Sequence, residues 1–252
     1  MFAQCADPYG PPMADIERHE AVAHLLRRAT FGPRPGQVEA LADRGPDDIL
    51  SELLADTEDR AAAANPPNFS DDGSSEETLI TWWLNRMRDP RAGIHERMVW
   101  YWHGHFTTSL DQVSPQMMWL QHQRVRRHAL GNFRELTREM LTDAAMLVYL
   151  NGAGSTGDNP NENLARELME LFTLGVGNYT EDDVKAGARA LSGYWVEWED
   201  ATVHFEEYDH YDRPVRFLGE RAHHDVDSVV DAVSAHPALS LIHISEPTRP
   251  LH

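Results

Sequence analysis

Residues 159–177 read N-P-N-E-N-L-A-R-E-L-M-E-L-F-T-L-G-V-G, the densest grouping of helix signals, apolar residues and clustered charge in the chain. Asn159 is a good N-cap, because its side-chain oxygen can accept a backbone N–H of the first turn. Pro160 falls at the first helical position, where a missing N–H costs nothing. Glu162, three after the cap, completes a capping box. Gly175 and Gly177 bracket Val176, and glycine commonly sits just past a helix end. At about 100° per residue, Leu164, Ala165, Leu168, Met169, Leu171 and Phe172 fill one broad arc. Glu162, Asn163, Arg166, Glu167 and Glu170 fill the other, and Arg166 stands four from both Glu162 and Glu170, the spacing at which helical charges meet. The stretch therefore predicts one amphipathic helix with its apolar face in the core. Its polar face has two readings. One is a solvated surface laced with ion pairs. The other is a cleft wall, with carboxylates as metal ligands or general acid and base and Arg166 as an anion clamp. No spacing here selects a single chemistry.

Working outward, the neighbours are helical too. Thr142 or Asp143 caps a short helix to Leu150, Asn132 caps one to Leu141, and Ser114-Pro115 opens one to Leu130. Asp89-Pro90 starts a long helix to about Phe106, carrying Met98, Trp100 and Trp102, and another spans about 76–88 with Trp82 and Trp83. Further helices are predicted at 16–29, 35–42 and 46–55, with Thr30-Phe31-Gly32-Pro33 breaking the first. Downstream, Thr180 caps a helix to Leu191, with acidic residues in its first turn where the dipole favours them. Tyr194, Val196 and Trp198 alternate, as do Val203 and Phe205, which predicts a small β-hairpin. A last helix covers 226–235. Residues 1–12 read as a Pro-rich tail and 56–74 as an exposed loop. The Gly-rich stretch 151–158, N-G-A-G-S-T-G-D, lacks the Gly-Lys-Ser/Thr ending of a phosphate loop and follows no clear strand. The fold class is mainly α: one irregular multi-helix domain over 13–239 with a hairpin near 194–205.

Composition narrows the function. With 22 basic against 41 acidic residues the net charge is −19, which argues against nucleic acid and against anionic membrane surfaces. No apolar run approaches a membrane span, so membrane insertion is not expected. Cys5 is the only cysteine, which rules out a disulfide framework and a Cys-based zinc site. The first residues have neither a basic nor an apolar signal region, so the chain as written is expected in the cytoplasm; Met13 serves equally as a start, and a different start leaves export open.

The histidines offer the second candidate site. His103-Gly104-His105 closes the Trp-rich helix. Two residues apart on a continuous helix point roughly 200° apart and cannot share one metal; if Gly104 breaks the helix, both imidazoles can converge on a divalent cation. The plain alternative is one histidine in the core and one at the surface. His95-Glu96 begins a zincin motif, but Val99 occupies the place of its second histidine, which excludes it. His204, His210, His223 and His224 lie among acidic residues, a solvated edge or a cation site. His122 and His128, among Arg124, Arg126 and Arg127, read as a solvated helix face.

Three stretches together carry a resemblance: A-H-L-L-R-R-A-T-F-G at 23–32, M-V-W-Y-W-H-G-H-F-T-T-S at 98–109, and 159–184 from N-P-N-E-N-L through N-Y-T-E-D-D-V. The chain resembles the bacterial domain-of-unknown-function family 1800 over about 16–238. The resemblance implies no settled activity. It implies a gene neighbour, and so a candidate partner, from domain-of-unknown-function family 1501, and export of many members. His103, His105, Asn161, Glu162, Asn163, Arg166, Glu167 and Glu170 stand on family-motif positions, as do Ala190, Leu191, Ser192 and Gly193. The family's later segment appears as His210-Tyr211-Asp212 through Leu218-Gly219 without its usual Lys, Arg213 and Arg216 being nearby. The family is longer than this chain, and residues 240–252 resemble translated sequencing-adapter read-through, so a natural C-terminal part is expected to be missing.

Together these readings lead to a hydrolase-like enzyme with a polar cleft between the 103–105 segment and the 159–170 helix. Arg166, Glu167 and Glu170 are its expected catalytic residues. His103, His105 and Glu162 are the expected ligands of a divalent metal, the one cofactor this set suggests. The competing class is a non-catalytic envelope or assembly protein, in which the ionic face is a structural network.

Overall fold

The helix caps form where local chemistry places them. Ser114, Asn132, Asp143 and Thr180 each accept a first-turn N–H through their side chains. The computed structural model describes residues 15–55, 67, 75–89 and 93–239, and contacts divide the chain into two compact units, 1–65 with 83–97 and 66–82 with 98–252. The expected tail at 1–12, nearly all of the loop at 56–74 and the segment 240–252 lie outside the described residues.

In the first unit, α1 (Asp15–Ala29), α2 (Gln37–Leu41) and α3 (Pro46–Ala55) pack around Val22, Leu26 and Ile49. The Thr30 hydroxyl donates to the Leu26 carbonyl at 2.6 Å, which closes the end of α1. α4 (Ser75–Arg88) and α5 (Ile94–His105) each lend residues to both units. Within the first unit, buried Glu96 accepts the Trp83 indole N–H at 3.2 Å and faces Arg86, so this motif glutamate is a structural anchor.

The second unit contains α6 (Pro115–His128), α7 (Phe133–Leu141) and α8 (Ala144–Tyr149), with α6 packed against both others. Here the sequence expectation fails. Far from a solvated face, α6 buries His122 and Arg126, and Arg126 keeps only 2% of its surface exposed. The Trp119 ring stacks on His122, and the Arg126 guanidinium lies 6.0 Å from the Trp82 ring. Aromatic walls, which local periodicity does not report, cover both side chains. Beside them a buried polar chain runs from the Thr108 hydroxyl to Gln121 (2.6 Å), from Gln121 to Asp143 (2.9 Å), and from Arg124 to Asp143 (3.0 Å).

The expected continuous helix at 159–174 is two pieces. α9 starts only at Asn163, with Glu162 at its N-cap position making no side-chain cap bond. Asn161 replaces Asn159 as the turn-forming residue, its side-chain oxygen accepting the Asn163 N–H at 3.0 Å. After Glu167 the chain widens into a π-helix, Leu168–Thr173. A π-turn advances each residue by about 80° where an α-helix advances about 100°. That lag swings Leu171 out of the predicted apolar arc and brings Thr173 in: Leu171 is 58% exposed, Thr173 is fully buried. The Thr173 hydroxyl repairs the ladder by donating to the Leu168 carbonyl at 2.6 Å.

α10 (Glu181–Ala190) packs on α9, and α11 (Val226–Ala235) packs on α7 and the π-helix. β1 (Tyr194–Val196) and β2 (Val203–Phe205) form the predicted antiparallel hairpin. A second hairpin, β3 (Val215–Phe217) with β4 (Glu220–Ala222), was not expected. Its two-residue turn holds both Leu218 and Gly219 at positive φ, 46° and 92°. Leu218 tolerates this because its N–H is anchored to Asp183 of α10 at 2.8 Å. The protein is mainly α with two small antiparallel hairpins. Among the described residues no helix is long and apolar enough to cross a membrane.

Candidate functional site

The end of α5 is fixed by its aromatic residues. The Trp102 indole N–H donates to the Ala129 carbonyl at 2.9 Å, just past α6. Trp102, Phe106, Phe133 and Phe172 surround the His105 ring. His105 Nε2 lies 2.9 Å from the Phe172 carbonyl oxygen. A carbonyl only accepts, so Nε2 carries the proton, and in the neutral ring Nδ1 holds the lone pair. This bond joins α5 to the π-helix across a cleft of about 1320 Å³ within the second unit.

The cleft's histidines and carboxylates are His103, His105, Glu167 and Glu170; Trp100 and Tyr101 stand at its aromatic side. Gly104 does not break α5, which runs through to His105, yet both histidines line the same cleft. Burial pushes the His103 imidazole down, which favours its neutral form. Glu167 is pushed up, first by burial and then by the Glu170 charge, with Arg166 opposing. Its Oε2 is buried and, among the described residues, has no hydrogen-bond partner. Glu170 Oε2 accepts the Tyr179 hydroxyl at 2.7 Å. Burial and this bond together push the phenol up to about 12.

Arg166 and Glu162, expected in the same site, lie elsewhere. Arg166 grips Glu181 of α10 with both terminal nitrogens, at 2.7 and 2.8 Å, and reaches Glu162 at 3.1 Å. Of its two expected i,i+4 partners, Glu162 is met and Glu170 is replaced by Glu181. Neither Arg166 nor Glu162 is among the described residues lining the cleft. The three expected metal ligands are therefore not assembled: two line the cleft and the third is held by Arg166. Among the described residues no group of three or more His, Cys, Asp or Glu side chains is arranged to hold a metal ion. His223 faces Asp212 at 2.9 Å, while His210 Nδ1 lies 3.1 Å from the Ser192 carbonyl, so the later histidines do not gather either.

Tyr179 is the site residue that sequence reasoning missed. It lies between the glycines ending the central stretch and the Thr180 cap, where no periodicity marks it. Asn163 and Asn151 also border the cleft, and the Asn163 amide donates to the Asn151 side-chain oxygen at 3.3 Å.

No curated protein and no solved structure matches the chain. The family described as "Protein of unknown function (DUF1800)" matches residues 24–245. That match spans most of the chain, and the protein belongs to the DUF1800 family.

Proposed function

We propose that the cleft is the acid–base centre of a hydrolase-like enzyme, with Glu167 as the proton-transfer group. The observation that carries this is the Glu167 carboxylate: it lines an open cleft, is pushed up by burial and by Glu170, and has a buried oxygen with no partner among the described residues. A carboxyl group raised toward the working pH can hold a proton for a leaving group and take one back from water. Glu170, oriented by Tyr179, supplies the second carboxylate, placed to position water. His103, held toward the neutral form, is a further proton acceptor. His105 is a positioning residue, fixed by the Phe172 carbonyl. Arg166 sets the potential at Glu167 from outside the cleft.

The test is turnover of chromogenic ester, phosphoester and glycoside panels by the wild type, Glu167→Gln and Tyr179→Phe. Glu167→Gln is expected to lose about 10²–10⁴-fold in rate on any substrate turned over. Equal rates in the wild type and Glu167→Gln would remove the assignment.

The assembly reading keeps one observation in its favour. Leu171 and Val176, on the cleft wall, expose 58% and 78% of their surface, as a face seating a partner protein would. Complex formation with the family 1501 gene product, abolished by Leu171→Glu but kept in Glu167→Gln, would favour it.

A further inference from the structure

A further groove, of about 410 Å³, is lined in part by Asn151, a residue that also borders the acid–base cleft. Its polar wall is Asn151, Ser155, Asn159 and Asn161, and its aromatic wall is Trp198. The Gly-rich loop that carries the asparagines matches no phosphate cradle, and the groove shows what it builds instead.

The loop is pinned along its length. Gly154 N–H donates to the Tyr194 carbonyl (2.8 Å), Gly157 N–H to the Asp209 carbonyl (2.6 Å), and Gly193 N–H to the Ser155 carbonyl (2.8 Å). Gly157 has no space for a side chain, since a Cβ there would lie 2.9 Å from the Tyr211 backbone. The Trp195 ring covers Gly154 and its N–H is held by Asp209 at 2.9 Å. The groove is thus preorganised, and a ligand need not order it.

Its chemistry is narrow. Asn161 turns its side-chain oxygen to the Asn163 N–H, and Asn151 turns its own to the Asn163 amide. Each therefore keeps its NH₂ as a donor. Trp198 sits in the β1–β2 turn, 60% exposed, on a backbone fixed by the Glu197 N–H to the Thr202 carbonyl (2.8 Å). No charged residue lines the groove among the described residues, and Glu197, Glu199 and Asp200 surround Trp198 in sequence. An indole face beside amides and a hydroxyl, without a cation and with acidic neighbours, suits a ligand with apolar C–H faces, many hydroxyls and no negative charge.

We propose that this groove binds neutral saccharides, with a pyranose ring stacked on Trp198 and its hydroxyls on the asparagine amides. Asn151 lines both the groove and the cleft, so the groove is assigned as a neighbouring subsite of the cleft that holds Glu167. The cleft's substrate would then be a neutral glycan, a deduction that rests on the proposed acid–base function, whereas binding in the groove does not.

The experiment titrates the full chain with cellohexaose, xylohexaose and mannohexaose, and with galacturonate oligomers as the anionic control. Heat and tryptophan fluorescence are read up to about 10 mM, a range that captures even weak sites. Saturable binding of a neutral hexaose is expected, with the galacturonates at least about tenfold weaker. Trp198→Ala, and separately Asn159→Ala, should weaken binding at least about tenfold with an unchanged circular dichroism spectrum. Both residues are exposed, so neither change touches the core. No binding of any neutral hexaose, equal binding by Trp198→Ala, or equal affinity for galacturonates would each overturn the proposal. Binding kept without turnover would leave the groove standing and remove the hydrolase.

Discussion

Replacing Asp143 with Asn removes a buried charge while keeping a side-chain oxygen at the N-cap of α8, where asparagine caps as well as aspartate. Burial raises the Asp143 carboxyl from 3.8 to about 6, against the opposing pull of Arg124, Met146 N–H and Gln121. The folded state therefore binds this proton more tightly than the unfolded chain does. Stability from this group is full below pH 3.8 and is lost as pH rises through about 6. A shift of about two units is worth about 3 kcal/mol, of which about 2 kcal/mol falls between pH 4.5 and 7.5. Asparagine has no such dependence. Urea unfolding of wild type and Asp143→Asn should show a stability difference that moves by about 2 kcal/mol in the variant's favour over that range. Any constant offset, such as the Asn NH₂ meeting Arg124, cancels in the pH dependence. A difference flat with pH would mean that Asp143 titrates like a solvated carboxylate, and the account of the Thr108–Gln121–Asp143–Arg124 chain would fail.

Further expectations follow from the same bonds. Thr173→Val keeps the volume but leaves the Leu168 carbonyl short of its hydroxyl donor, and should cost about 1–2 kcal/mol by chemical unfolding. Tyr179 should ionise near 12 in an ultraviolet titration, and Glu170→Gln should bring that transition back toward 10. In a pH–rate profile, Arg166→Ala should move the Glu167 limb upward and Glu170→Gln should move it downward, because Arg166 opposes and Glu170 adds to the rise. Gly157→Ala should destabilise the loop by about 1–3 kcal/mol, since its Cβ would meet the Tyr211 backbone, and thermal unfolding reads that directly.

Much of the helical skeleton was legible because its signals are local. Ser114, Asn132, Asp143 and Thr180 act on N–H groups two or three residues away, and the β1–β2 alternation needs only its own side chains. The family motifs likewise marked His103, His105, Glu167 and Glu170, which do share one cleft. The second hairpin was within reach, since Val215 and Phe217 alternate before Leu218-Gly219, but a leucine at positive φ is held there only by Asp183, 35 residues earlier.

What the amino-acid order determined by itself was therefore the mainly α class, most caps and the identity of the polar residues. Tertiary structure decided how those residues are used. The widening of the central helix into a π-turn reverses the exposure of Leu171 and Thr173, and it depends on what the turn packs against. Arg166 takes Glu181 in place of Glu170 because α10 brings that carboxylate alongside α9. Arg126 and His122 are buried because aromatic rings from elsewhere in the fold cover them. Each outcome turns on which surfaces meet across long sequence separations, and helical periodicity records only which side chains share a face.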